Sequence, residues 1–356
     1  MSTTNKNPNE QLPENLTSVA EVEDAKLARA DETSKSQGRI VLERFMGHKP
    51  AMVSAVILVF ITIFAFSSIG WGPLPGWWHQ SFYEAGLVVN GGKPTMSLVP
   101  TWLGGEGIRW GEHPFGQDSV GKDYFALVMN GTQKSIIIGV VVGVVSTVLG
   151  SIIGAVAGYF RGWVDEVLMR ITDLFIVIPL LVLAAVLGKI AGASTGSIIT
   201  LALVLGLVTW TGLARLVRGE ILSLREREYV AAAQAMGSKT SRVIFKHLIP
   251  NTMGVIVVNA TFAIAGAILL ESSLSYLGFG VKAPESSLGL LISQYQNAFT
   301  TRPWLFWWPG MIIVMIALAV NFLGDGLRDA FDPRQLGKKR RRRAGLFALP
   351  TRKEKP

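Results

Sequence analysis

Four parts of this sequence carry residue types whose spacing bears on chemistry. His113, Asp118 and Asp123 place an imidazole and two carboxylates close together. One His beside two carboxylates, with no diagnostic spacing, reads as a turn and a helix start rather than a metal site. Gly237-Ser-Lys239-Thr240 resembles a fragment of a phosphate-binding loop, but an extra Ser separates Gly from Lys. Gly-x-x-x-x-Gly-Lys-Ser/Thr occurs nowhere in the chain, so ATP is not expected to bind here. Asp173, Asn259, Glu271 and Asn321 lie in or near apolar runs. A charge at mid-bilayer costs on the order of 2.5–3.5 kcal/mol, so such groups face protein or water. Glu271, Asn259 and Asn321 are the pathway or gate candidates. For Glu271 the alternative is a structural hydrogen bond or an interfacial position. For Asn259 and Asn321 it is helix–helix hydrogen bonding, and Asp173 is read as structural, paired with Arg170 or closing a span. Cysteine is absent, which excludes disulfides and thiolate chemistry. Neither a Ser/His/Asp set nor a carboxylate pair stands out, so covalent chemistry is not expected, nor is a cofactor or metal on this chain.

The fourth part is Ser223–Pro250, a charged, helix-forming island between two apolar segments. Ser223 with Glu226 three residues later fits a capping box. Tyr229, Ala232, Ala233 and Met236 fall at i, i+3, i+4 and i+7 and make one apolar face. Gly237 suits a left-handed helix end. Ser238 can cap a second helix that stops at Pro250. A face of Ala and Met is too weak for a core and suits docking into a groove; an ordinary amphipathic surface helix is the alternative.

The surrounding elements decide where this island lies. The chain has 356 residues, 49% hydrophobic and 17% charged. Several apolar runs reach the length that crosses ~30 Å of hydrocarbon. Six spans are expected, near 51–69, 135–160, 171–188 with Pro179 inside, 198–216, 253–277 and 304–323. Arg161–Arg170 reads as a tight turn. Gly139 and Gly143, and Gly150, Gly154 and Gly158, recur every fourth residue, which lets helices approach closely. Residues 1–45 read as a polar, disordered tail rather than a signal peptide, with a basic surface helix near Arg39–Lys49. Residues 46–134 hold the first span and a long loop with five Trp, a residue that usually anchors span ends at the interface. Residues 135–335 form a five-helix core with a loop at 218–252, and 336–356 a basic tail. With the N-terminus inside, 27 of the 34 Lys and Arg fall in cytoplasmic segments (1–50, 160–170, 215–250, 325–356) and 7 in the others. This puts both termini and the island in the cytoplasm. The basic tail reads as a lipid-surface anchor rather than a nucleic-acid site.

Several segments resemble the inner-membrane permeases of ABC importers, in the subgroup for dipeptides, oligopeptides and nickel. That family's cytoplasmic loop carries Glu-Ala-Ala, a Gly four residues on and a Pro thirteen residues after that. Ala231, Ala232, Ala233, Gly237 and Pro250 stand at these places. Ala231 replaces the family's Glu, and Glu228 lies one turn earlier on a similar face. His113-Pro-Phe-Gly116-Gln-Asp118-Ser-Val-Gly121-Lys122-Asp123 resembles the segment before the second span, with Lys122 where Arg is usual. Gly158-Tyr-Phe-Arg-Gly-Trp-Val-Asp165 through Arg170-Ile-Thr-Asp173 is similar to the next cytoplasmic turn. Glu271-Ser-Ser-Leu-Ser-Tyr-Leu-Gly278-Phe-Gly280 and Asn321-Phe-Leu-Gly-Asp325-Gly-Leu-Arg328-Asp329 complete the set. The likeness runs over about residues 40–335; the loop 71–112 looks longer than usual and carries no such motif.

The resemblance implies an all-α integral membrane protein with the six-helix type I importer permease fold in the plasma (inner cytoplasmic) membrane. It implies a homologous second permease, two ABC ATPase subunits that bind ATP and Mg, and an extracytoplasmic substrate-binding protein. Glu228, Tyr229, Ala231, Ala232, Ala233, Met236, Gly237 and Pro250 would then form the ATPase-docking loop. His113, Asp118 and Asp123 would lie on the face that meets the binding protein. The cargo would be a dipeptide or oligopeptide, or alternatively nickel. A stand-alone ion-coupled carrier would need more ionisable groups along a mid-membrane path than this sequence has. A membrane-anchored structural protein would not need Pro-broken spans around Glu271.

Overall fold

A computed structural model describes residues 37–97, 102, 107, 109–195 and 198–331. The tail 1–36, most of 98–108 and the basic tail from 332 lie outside the described residues. Helix α1 (Gln37–Met46) is the expected basic surface helix. It is tied to the far end of the chain by Arg44, which donates to the Ala330 carbonyl at 3.5 Å. Helix α2 (Lys49–Ile69) begins where His48 Nδ1 accepts from the Ala51 N–H at 3.3 Å, with Pro50 in the first turn, where its missing N–H costs nothing. A two-stranded antiparallel hairpin, β1 (Gly70–Trp71) and β2 (Leu74–Pro75), closes its far end.

Helix α3 (Tyr124–Phe160) is the spine, 37 residues long. It starts eleven residues before the expected second span, because Asp123 caps it outside the apolar run. Its small-residue rows do what their spacing predicts. A Cβ on Gly154 would collide with the Ala214 carbonyl and the Val217 side chain, and one on Gly143 with Ile264. The tight turn expected at 161–170 shrinks to Arg161, at φ +56°. Helix α4 (Gly162–Val177) begins at once and is joined to α5 (Leu180–Thr195) through Ile178–Pro179 at a 90° bend. Helices α6 (Ile198–Thr209) and α7 (Thr211–Arg225) form a second bent pair, at 43°.

Helix α8 (Glu228–Ala235) is the short helix of the island. Helix α9 (Thr240–Tyr276) does not stop at Pro250 as expected. Val243–Leu248 form a π turn, and the chain runs on through Pro250 in the first turn of the α-helical part. A widened turn removes the clash between the proline ring and the preceding carbonyls. Asn251 Nδ2 donates to the His247 carbonyl at 2.5 Å. Helices α10 (Leu288–Tyr295) and α11 (Trp304–Phe331) complete the chain, and α11 carries Pro309.

Among the described residues, four helices are long and apolar enough to cross a membrane, α2, α3, α9 and α11. Six passages result if each bent pair counts as one. Three apolar clusters lie along the bundle. One gathers Phe115, Phe125 and Leu305, one Ile138, Leu205 and Leu274, and one Val217, Ile221, Val230 and Leu248 beside α8.

Candidate docking site

The island folds around a different start than the capping box implies. Ser223 lies inside α7, whose buried face (Val217, Ile221) keeps the helix going against α3. Glu226 is taken by Arg161 Nη2 at 2.6 Å instead of capping a helix. Arg227 occupies the N-cap of α8 with no side-chain bond. Val230 and Ala233 are both turned inward, 0% and 3% exposed, and Val230 packs onto Val243, Ile244 and Leu248. This corrects the expected face. Ala233 belongs to the packed side, and the outward ridge is Tyr229, Ala232 and Met236, with Met236 80% exposed. Glu228 and Ala231 are also exposed, and at i, i+3 they are neighbours on that surface.

The end of α8 is a Schellman turn. Gly237 has φ +75°, its N–H bonds the Gln234 carbonyl at 2.9 Å, and the Ser238 N–H bonds the Ala233 carbonyl at 3.1 Å. No other atom lies within 4 Å of where a Gly237 Cβ would sit; glycine is required there by its dihedral alone. Ser238 does not cap the next helix; Lys239 holds that position in extended backbone.

The base of α8 is pinned to α3 through Tyr159. Its carbonyl accepts from Arg225, its ring lies 5.6 Å below the Arg225 guanidinium, and its hydroxyl accepts from Gln234 Nε2 at 3.2 Å. Nothing in the sequence singled out Tyr159, because its partners come from 66 and 75 residues away. Asp173 pairs with Arg215 on α7, not with Arg170.

The buried polar candidates do not form one cluster. Glu271 is 0% exposed. It accepts from Ser275 Oγ at 2.6 Å and from Ser135 Oγ at 3.4 Å. Asn259 donates to Val255 of its own helix at 2.8 Å, so the expected interhelical bond is replaced by an intrahelical one. It sits twelve residues before Glu271, about 18 Å along the axis. Asn321 is half-buried on α11.

At the opposite end of the bundle, His113, Asp118 and Asp123 are 8%, 2% and 2% exposed. Asp123 Oδ2 accepts from the Ala126 N–H at 2.9 Å and from Trp78 Nε1 at 2.8 Å, while Oδ1 lies 2.8 Å from His113 Nδ1. Asp118 Oδ1 accepts from the N–H groups of Val120 and Lys122, and Oδ2 from the Tyr295 hydroxyl at 3.0 Å. Burial, then the Asp118 charge and this bond, push the Tyr295 phenol well above its ordinary value. These three residues are therefore knots inside the loop layer. Their carboxylates are spent on helix capping and loop closure, which is the turn and helix start that their spacing implied. The Trp residues divide. Trp78 is drawn into this knot, while Trp71 is 58% exposed. Gln117 ties the loop further, accepting from the Val89 N–H and donating to the carbonyls of Leu87 and Gly121.

Residues 150–337 match the family described as binding-protein-dependent transport system inner membrane component. That is more than half of the chain. The chain belongs to this family. Residues 36–75, which hold α1, α2 and the hairpin, match the N-terminal TM domain of oligopeptide transport permease C. The oligopeptide transport system permease protein OppC of Mycobacterium tuberculosis (strain ATCC 25618 / H37Rv) is 36% identical over 300 residues, 84% of this chain and 95% of that protein. OppC of Bacillus subtilis (strain 168) is 33% identical over 325 residues, 91% and 99%. A putative peptide permease protein of Brucella suis biovar 1 (strain 1330) is 39% identical over 241 residues, 67% and 76%. A solved structure of the MetNI methionine ABC transporter, inward facing, is 18% identical with a TM-score of 0.47, over 58% of this chain and 97% of that one. This transport component is thus a multi-pass membrane permease and not an enzyme, as the motifs implied.

Proposed function

We propose that this permease carries oligopeptides or dipeptides inward as one subunit of an ATP-driven ABC importer in the plasma membrane. The observation that carries the cargo class is the end-to-end likeness to proteins named oligopeptide permeases, which includes the N-terminal segment. The coupling reading rests on α8, a short helix with an outward ridge of Tyr229, Ala232 and Met236 and a base locked to α3 and α7. Such a ridge fills an apolar groove on an ATPase, and the lock passes the ATPase's movement into the bundle. Alternating access follows if the ATPase contacts differ between two states. The absence of a phosphate loop leaves ATP and Mg to the partner chains. A homologous permease supplies the other half of the path, and a binding protein delivers cargo from outside. Both termini and α8 then lie in the cytoplasm, the orientation that the Lys and Arg distribution favours.

The test is co-purification with the ATPase subunits, followed by uptake in proteoliposomes. Met236→Asp puts a charge in the groove and is expected to release the ATPase without loss of the permease from the membrane. Gly237→Val forces a β-branched residue into the left-handed region at a cost of roughly 1–2 kcal/mol. It is expected to leave the ATPase bound and hydrolysing while uptake falls. Undiminished ATPase capture by Met236→Asp would rule out the ridge as the docking surface.

A further inference from the structure

Helix α4 is held to α7 by charge more than by packing. Of its 16 residues only Thr172 is buried. Trp163, Val167, Ile171 and Leu174 are all exposed, Trp163 by 75%. Its tie to α7 is a pair of carboxylate–guanidinium contacts. Asp165 receives a forked bond from Arg218, with Nε to Oδ1 at 2.5 Å and Nη2 to Oδ2 at 2.6 Å. Asp173 Oδ1 accepts from Arg215 Nη2. The earlier Asp meets the later Arg. One ring contact, Phe175 to Trp210 at 5.8 Å, lies beyond the second pair.

Position gives this joint its meaning. Only Glu226 and Arg227 separate α7 from α8, and Arg161–Glu226 closes the same corner. At its other end α4 meets the 90° bend at Ile178–Pro179 and then α5. Forked charge-assisted bonds fix direction as well as distance. Displacement of α7 is therefore passed to α4 through these bonds, whereas α3 and α7 meet through tightly packed Gly rows.

We propose that Asp165–Arg218 and Asp173–Arg215 are positioning pairs for transport. They convert displacement of α8 and α7 into movement of α4, and through the Pro179 bend into movement of α5. This deepens the proposed function and rests on α8 being the ATPase-docking helix.

The experiment uses the full transporter, reconstituted with its partner permease, ATPases and binding protein, and reads cargo uptake and ATP hydrolysis together. Asp165→Arg and Arg218→Asp are each expected to lower uptake per ATP about tenfold while hydrolysis continues. The double swap, which restores opposite charges, is expected to recover most of it. Unchanged uptake per ATP in the single variants overturns the proposal, and so does a double variant no better than its parents. If reversal blocks assembly, Asp173→Asn and Arg215→Gln are read in the same way, with unchanged uptake per ATP again overturning it. Met236→Asp in the same assay separates the two ideas. Full uptake there strikes at the docking reading, whereas full uptake in the charge variants alone, with Met236→Asp inactive, strikes only at the pairs.

Discussion

Asp123 shows how much a single side chain carries. One carboxylate caps the spine helix, holds Trp78 and meets His113. Asp123→Ala removes the cap and leaves a half-buried indole N–H without its acceptor. The two losses together are expected to cost about 1–3 kcal/mol. Thermal unfolding in detergent should show a lower midpoint, with Asp123→Asn falling between it and the native chain. The sequence placed a turn and a helix start here and read Gly237 as a left-handed helix end, because both signals are local. It misjudged Ala233, since an eight-residue helix that is half alanine has no direction of its own. The choice is made by Val243 and Leu248, which pack on Val230 from the far side of the Gly237 turn and leave Ala233 on the buried side. Tyr159 and Gln117 escaped notice for the same reason, as their partners are distant in sequence.

Elements were more legible than sites. All six apolar runs correspond to helices or bent helix pairs. Their ends moved wherever a polar or mixed segment was buried by neighbours, as at Tyr124–Gln133, which is buried throughout and which hydropathy alone assigns to a loop. The bend at Pro179 was marked, but not that it turns the chain by 90°. The glycine rows were read correctly, and they give a sharp test. Gly154→Val places a branched Cβ against the Ala214 carbonyl oxygen and 2.9 Å from Val217 Cβ. Overpacking of this kind costs roughly 1–3 kcal/mol. The expected result is reduced membrane yield and faster proteolysis of the α3–α7 pair, while Gly266→Val, at a position with open space around it, behaves as the native chain.

For the molecule as a whole, orientation can be read directly, because the native chain has no cysteine. Leu87→Cys and Lys239→Cys introduce single exposed thiols at opposite ends of the bundle. A membrane-impermeant maleimide applied to intact cells is expected to label the first and not the second, and inverted vesicles should reverse the pattern. The opposite labelling would refute the cytoplasmic placement of α8. The two ends are joined by one uninterrupted element. Helix α3 is 37 residues long, about 55 Å at 1.5 Å per residue, whereas α2, at 21 residues, is about 31 Å, close to the thickness of the hydrocarbon layer. Anchored by Asp123 at one end and Tyr159 at the other, α3 projects beyond the lipid and is insensitive to how thick that lipid is. The shorter α2 is not, and must tilt or draw the lipid toward itself when acyl chains lengthen or shorten. Bilayer thickness therefore acts on this permease as an angle between two neighbouring helices.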